Sequence, residues 1–201
     1  MDINYIGAYA GITVMLPTAL VLGFWLWAAG SRRLALYWAM SLAAAYAVVG
    51  GSKLLFKGWG IGLGSLDIAV FSGHAMHACL VLPVALSLLA RQCAGALRWP
   101  AAVLGLVLAW LISAFIVAPL VHPLPEAIAG ALVGSLAGLA FLFAAESRPV
   151  LRIPPFALIQ GALVILLVAV LPKYNAEALL NSLATTLSGA EAAFLKPHWR
   201  Q

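Results

Sequence analysis

The segment Phe71-Ser72-Gly73-His74-Ala75-Met76-His77 sets a serine, a glycine and two histidines into otherwise apolar sequence. Ser72 is suited to cap a helix, Gly73 lets the backbone approach a ligand, and His74 falls in the first turn, where free N–H groups and the helix dipole favour an anion. The chemistry this suggests is phosphate binding. An ordinary helix start whose histidine is satisfied by neighbours has the same local pattern, so the reading depends on partners elsewhere in the chain.

One such partner is Pro119-Leu120-Val121-His122-Pro123-Leu124-Pro125-Glu126, where prolines end one helix and restart another near Pro125. A carboxylate four residues beyond His122 is placed to reach back to the imidazole, fix its tautomer and stabilise its positive charge. Otherwise Glu126 is simply an acid favoured in a first helical turn. Lys53 and Lys57 add two cations at four-residue spacing, on one face if a helix continues through both. The other reading of Lys57 is a side chain reaching toward lipid headgroups. Asp67 and His77 are candidates for supporting roles, His77 as a wall of the site or a packed helix residue.

The elements that must position these groups are membrane helices. With 65% hydrophobic and 8% charged residues, and a mean hydropathy of +1.07, the chain is predicted to be an all-α integral membrane bundle and not a soluble domain. Six stretches of about 20 residues are expected to cross the bilayer, at roughly 5–29, 34–56, 72–90, 99–121, 124–145 and 154–172. The first is expected to be a retained span, since it lacks a basic leader and is longer than a signal peptide core. Residues 1–172 form one membrane domain in this reading, and 173–201 a C-terminal segment. Gly130, Gly134 and Gly138 repeat at four-residue spacing, a pattern that admits a neighbouring helix at close range.

The charge pattern orients the bundle. Arg32, Arg33, Arg91, Arg98, Arg148 and Arg152 fall on alternate connections, offset only by Glu146, so that side is expected to face the cytoplasm. The opposite side holds Lys53, Lys57, Lys173, Lys196 and Arg200 against Asp2, Asp67, Glu126, Glu177 and Glu191, and receives every candidate catalytic group. The expected location is a bacterial inner membrane with the site facing the periplasm or exterior. The net charge of +5 is dispersed and forms no basic stripe, so membrane lipids, not nucleic acid, are the expected partners. Homo-oligomerisation is left open. Cys79 and Cys93 suggest neither a disulfide framework nor a metal motif.

In the tail, Ala176, Leu180, Leu183, Leu187, Ala190 and Phe194 recur at helical spacing, with Glu177, Asn181, Thr185, Ser188 and Glu191 between them. This predicts an amphipathic helix lying on the outer interface, with a partner-binding helix as the alternative and a lid over the site as a further role.

Taken together, Lys53, Ser72-Gly73-His74 and His122 with Glu126 and Gly130 resemble the type 2 phosphatidic acid phosphatase superfamily. That family has a lysine-led first motif, a Ser-Gly-His second motif, and a third motif in which His precedes an acid at plus four and commonly Gly at plus eight. The resemblance covers about residues 50–135. It implies a helical bundle and metal-independent phosphoryl transfer without a cofactor. His122 would be the nucleophile, Glu126 its orienting partner, His74 the general acid, and Lys53 with the Ser72-Gly73 backbone the phosphate cradle, to which the four-residue helical spacing, not the resemblance, adds Lys57. The substrate implied is a lipid phosphate or diphosphate.

The chain departs from the family pattern in several places. Gly60-Ile61 stand where the first motif has Arg-Pro, Phe71 where proline precedes the serine, and Phe115-Ile116 where the third motif has Ser-Arg. Two phosphate-binding arginines are thus absent, and Glu replaces the usual Asp. Two alternatives follow: a catalytically impaired member that binds or moves a lipid, and a metal-dependent membrane hydrolase using His74, His77 and His122.

Overall fold

The computed structural model describes residues 10–147, 151–172 and 177–200. Helices follow one another: α1 (Ile12–Ala28), α2 (Arg32–Trp59), α3 (Gly73–Cys93), α4 (Gly95–Leu120), α5 (Leu124–Ala145), α6 (Pro155–Val170) and α7 (Glu177–Ser188). Among the described residues four helices, α2 to α5, are long and apolar enough to cross a membrane, at 28, 21, 26 and 22 residues. At 17 and 16 residues, α1 and α6 are apolar but shorter. The expected start of the first span at residues 5–9 lies outside the described residues.

Helix α3 is the centre of the bundle. It packs along α4 on one side and α5 on the other, with α1 and α2 also against it. Its middle is buried all round, from Ala75 through Val81, as suits a helix surrounded by others. The glycine stripe of α5 explains how closely α5 approaches. A β-carbon on Gly130 would fall on the Ser72 carbonyl oxygen and one on Gly134 on the Met76 carbonyl oxygen, while one on Gly138 would lie 3.3 Å from the Cys79 carbonyl. Bulk at these positions would push α5 off α3. On the outer faces, residues such as Leu104, Leu163 and Phe143 are exposed, as lipid-facing side chains are.

Tryptophans tie the remaining helices through buried bonds. Trp38 of α2 donates to the Ala19 carbonyl of α1 at 2.7 Å, and Trp25 of α1 donates to the Ala157 carbonyl of α6 at 2.8 Å. Gly161 leaves the space in which the Trp25 ring lies.

Near its end α4 contains a π-helical turn, Ser113–Val117. Pro119 explains it, because proline offers no N–H to the carbonyl four residues back and its ring crowds that carbonyl. The chain then turns at Val121 and His122, whose N–H groups both donate to the Val117 carbonyl, and α5 begins at Leu124 beside Pro123 and Pro125. Phe115, where the third motif of the resembled family has serine, is among the most exposed side chains of the helix.

Charges collect at the two ends of the bundle. At one end Glu146 joins Arg91 at 3.2 Å and Arg98 at 2.8 Å. The hydrogen bond from Arg98 holds the Glu146 carboxyl below its usual range. At the other end lie Lys53, Lys57, His74, His122 and Glu126.

Helix α7 occupies the tail and ends at Ser188, short of the periodic stretch that runs to Phe194. Its residues that turn toward the protein are Glu177, Leu180, Asn181, Ala184, Thr185 and Ser188, while Leu179, Leu183 and Leu187 are exposed. The largely polar face is turned inward and most of the leucines outward, the reverse of an amphipathic helix docked on a protein by its apolar side. The reason is local chemistry: the surface of α2 beneath it carries Lys53 and Lys57, which polar groups satisfy and leucines do not.

Candidate functional site

The site forms where the start of α3, the α4–α5 turn and the last turns of α2 meet. Ser72 caps α3 as its sequence predicts, accepting from the Ala75 N–H at 3.4 Å, and it is fully buried. Glu126 fixes the approach to this cap in three ways. Its backbone carbonyl accepts from the Ser72 N–H at 3.1 Å, its Oε1 accepts from the Ala69 N–H at 3.2 Å, and its Oε2 meets His122 Nδ1 at 2.9 Å. One buried carboxylate therefore joins the second and third motif regions. The four-residue separation alone predicts the contact with His122, and only the fold supplies the contacts with residues 69 and 72.

The tautomer of His122 follows from donor chemistry. An ionised carboxylate only accepts, so against an ionised Glu126 Nδ1 carries the hydrogen, and the neutral imidazole then keeps its lone pair on Nε2. The His74 and His122 rings lie 6.3 Å apart between centroids, and both line a pocket of about 960 Å³. Lys53, Lys57, Gly73, His77 and Glu126 line the same pocket, with apolar walls from Ile12, Val49, Val121 and Leu180.

Lys53 and Lys57 point the same way, as their spacing on a helix predicts. Their ammonium groups grip one carboxylate: Lys53 Nζ is 2.6 Å from Glu177 Oε1 and Lys57 Nζ is 2.8 Å from Glu177 Oε2. Lys57 also donates to Asn181 Oδ1 at 2.6 Å and is buried, so it does not reach out to headgroups. Partial burial acts to raise the Glu177 carboxyl, but the hydrogen bonds and charges of the two lysines outweigh it and hold it at about 2 against an ordinary 4.5.

The two supporting candidates separate. His77 is buried in the pocket wall with its Nε2 2.6 Å from the Tyr46 hydroxyl. Asp67 is exposed, in a left-handed backbone conformation at φ 54°, and accepts from Trp199 Nε1 at 3.1 Å, outside the pocket lining. Among the described residues no group of three His, Cys, Asp or Glu side chains is disposed to hold a metal ion.

Four contributors escape a reading of motifs: Tyr46, Ser52, Glu177 and Asn181. Ser52 Oγ accepts from the Phe71 N–H at 3.0 Å and so anchors the loop before the cap. For Glu177 one signal existed, the exact balance of acids and bases on its side of the bundle, but balance names no pair.

Fold and site define an all-helical protein with several helices apolar enough to cross a membrane and an apolar-walled pocket bearing histidines and lysines at one end of the bundle. No family model matches the chain, and no solved structure matches it. It is similar to an uncharacterized 22.5 kDa protein in the cps region of Klebsiella pneumoniae, with 36% identity over 114 residues, 56% of this chain and 54% of that protein. The chain therefore spans about half the length of the curated relative it matches.

Proposed function

We propose that the protein is a membrane lipid phosphatase of the type 2 phosphatidic acid phosphatase kind, a phosphoric-ester hydrolase working without metal through a phosphohistidine. The observation that carries this reading is the convergence of His74, the His122–Glu126 pair and two aligned lysines on one pocket. His122 Nε2 attacks phosphorus, and Glu126 stabilises the imidazolium that develops. His74, across the gap, protonates the leaving alcohol, and water then cleaves the phosphorus–nitrogen bond to release phosphate. Lys53, Lys57 and the backbone at Gly73, which line the pocket, hold the phosphoryl oxygens, while Ser72, buried and with its N–H given to the Glu126 carbonyl, supports them only as the cap of α3. Lysines are point charges without the planar fork of arginine, so this cradle is less selective for phosphate geometry than an arginine-built one.

The topology proposed with it has six spans in a bacterial inner membrane, α1 and α6 included, with the arginine-rich end in the cytoplasm and the pocket at the outer leaflet. The apolar pocket walls suit a substrate that stays partly in the lipid phase. Purified protein incubated with a panel of lipid phosphomonoesters and diphosphates should release inorganic phosphate from at least one. No release from any of them, at full expression and correct insertion, rejects the hydrolase. A second reading, a member that binds or moves a lipid without cleaving it, is favoured by the absence of arginine at 60 and 116 together with the engagement of both lysines by Glu177. Lipid binding without turnover would select it.

A further inference from the structure

We infer that Glu177 is an internal competitor for the phosphate site, and that α7, the first part of a C-terminal strap that runs on through residues 189–199, must lift from Lys53 and Lys57 before a phosphate group can bind there. The inference rests on the reading of these lysines as the phosphate cradle. Its geometric basis is that the Glu177 carboxylate presents two oxygens to two ammonium groups, one to each, as a phosphate would. Both positions are thereby filled from the chain itself, and Asn181 takes a further direction of Lys57. The same strap walls the pocket with Leu180, Phe194, Leu195 and Pro197.

The seat of the strap is built to be reversible. Only Ala184 of α7 is buried, and the face it turns to α2 is otherwise mostly polar, so little apolar area is lost from contact when it lifts. Polar contacts of this kind exchange with water or with a ligand at small net cost. The far end stays attached. The Phe194 N–H donates to the Lys57 carbonyl at 2.9 Å, and Trp199 lies over Gly62 and Gly64 while bonding Asp67. Close to the lysines, α7 packs against Gly58: a β-carbon there would lie 3.2 Å from the Ala184 carbonyl oxygen and 3.3 Å from Ser188 Cβ.

The test uses the full chain in detergent micelles, with inorganic phosphate as the probe and Cys93→Ser as background. Spin labels at Leu55→Cys and Thr186→Cys, both on exposed positions, should show a longer separation as phosphate saturates. The Glu177→Gln protein should bind phosphate on the order of tenfold more tightly, because a bound state no longer has to displace a charged occupant. Charge removal alone would tighten binding without moving the labels, so the distance decides the strap's part. A Gly58→Cys, Ser188→Cys pair, oxidised to a disulfide, pins the C-terminal end of α7 to α2 and restricts its lift: phosphate binding should fall by a similar factor and return on reduction, which decides the matter even if Glu177→Gln inserts poorly. Unchanged separation at saturating phosphate, or equal binding by locked and reduced protein, overturns the inference. A strap that lifts for phosphate in a protein that hydrolyses no lipid phosphate rejects the hydrolase alone, and turnover with a static strap rejects the competitor alone.

Discussion

Gly130 lies directly under the Ser72 carbonyl, so close that no β-carbon fits between them. This contact sets the register of α5 against α3 four residues from Glu126, and hence the position of His122 relative to the Ser72 cap. Gly130→Ala should therefore cost about 1–3 kcal/mol of stability by overpacking and lower turnover further by displacing His122. Gly51→Ala, with nothing within 4 Å of the added carbon, should be neutral or slightly stabilising. Thermal unfolding of the two variants, with turnover measured on the intact fraction, checks the contrast.

His122→Ala should abolish turnover and capture of labelled phosphate on the protein. Glu126→Gln should lower the rate and also loosen the loop at residues 69–72, since it alters the groups facing both His122 and the Ala69 N–H. Hydrogen exchange at residues 69–76 separates the second effect from the first. Activity should persist in chelator, and loss on chelation that zinc restores would count against the phosphohistidine route.

Lys53→Ala should reduce turnover on the order of 10²-fold if its ammonium stabilises transition-state charge. Lys57→Ala, at normal expression, should weaken phosphate-analogue binding, and it should also free Asn181 and Glu177 of one partner each. Unchanged binding and turnover would leave Lys57 as a purely structural contact of the strap.

The docking of the strap has a defined acid limit. Glu177 has a folded value of about 2, below its ordinary 4.5, so its contribution is fully present above 4.5 and is lost as pH falls through about 2. Among the described residues the charged groups facing it include Lys53 and Lys57 of α2, with His74 of α3 also within electrostatic reach. Label separation between residues 55 and 186 should therefore stay constant from neutral pH down to about 4.5 and lengthen only near the acid limit. Lengthening already near pH 6 would show that Glu177 is not the group that holds the strap.

Orientation is tested with an impermeant thiol reagent in intact cells. In a Cys93→Ser background, cysteines at 64 and 120 should label from outside, while those at 31 and 94 should label only after lysis. Native Cys93, exposed beside the Arg91 end, should behave like the second pair. The reverse pattern would put the pocket in the cytoplasm.

The readable parts of this protein are those governed by local rules. Hydropathy and length marked the apolar helices, although α6 closes at Val170, short of the expected end at 172. Pro123, Pro125 and Glu126 located the start of α5 because proline and acid preferences act within one turn. Ser72 as a cap, His122 against Glu126, and Lys53 aligned with Lys57 all follow from spacings of three or four residues, which a helix converts directly into proximity. Even the glycine stripe announced a close contact, though not that Ser72 and Met76 would supply it.

Tertiary structure decided what local spacing cannot reach. Ser52 came to the Phe71 N–H, Tyr46 to His77, and Glu126 to Ala69 across 57 residues. Glu177 and Asn181 each met their lysine across 124 residues of chain, a separation at which composition records only that charges balance. The tail is the clearest case: periodicity revealed a helix with two unlike faces but not which face would meet the protein. In a lipid setting apolar side chains gain nothing special by turning inward, and two lysines on α2 gave the polar face the stronger partner.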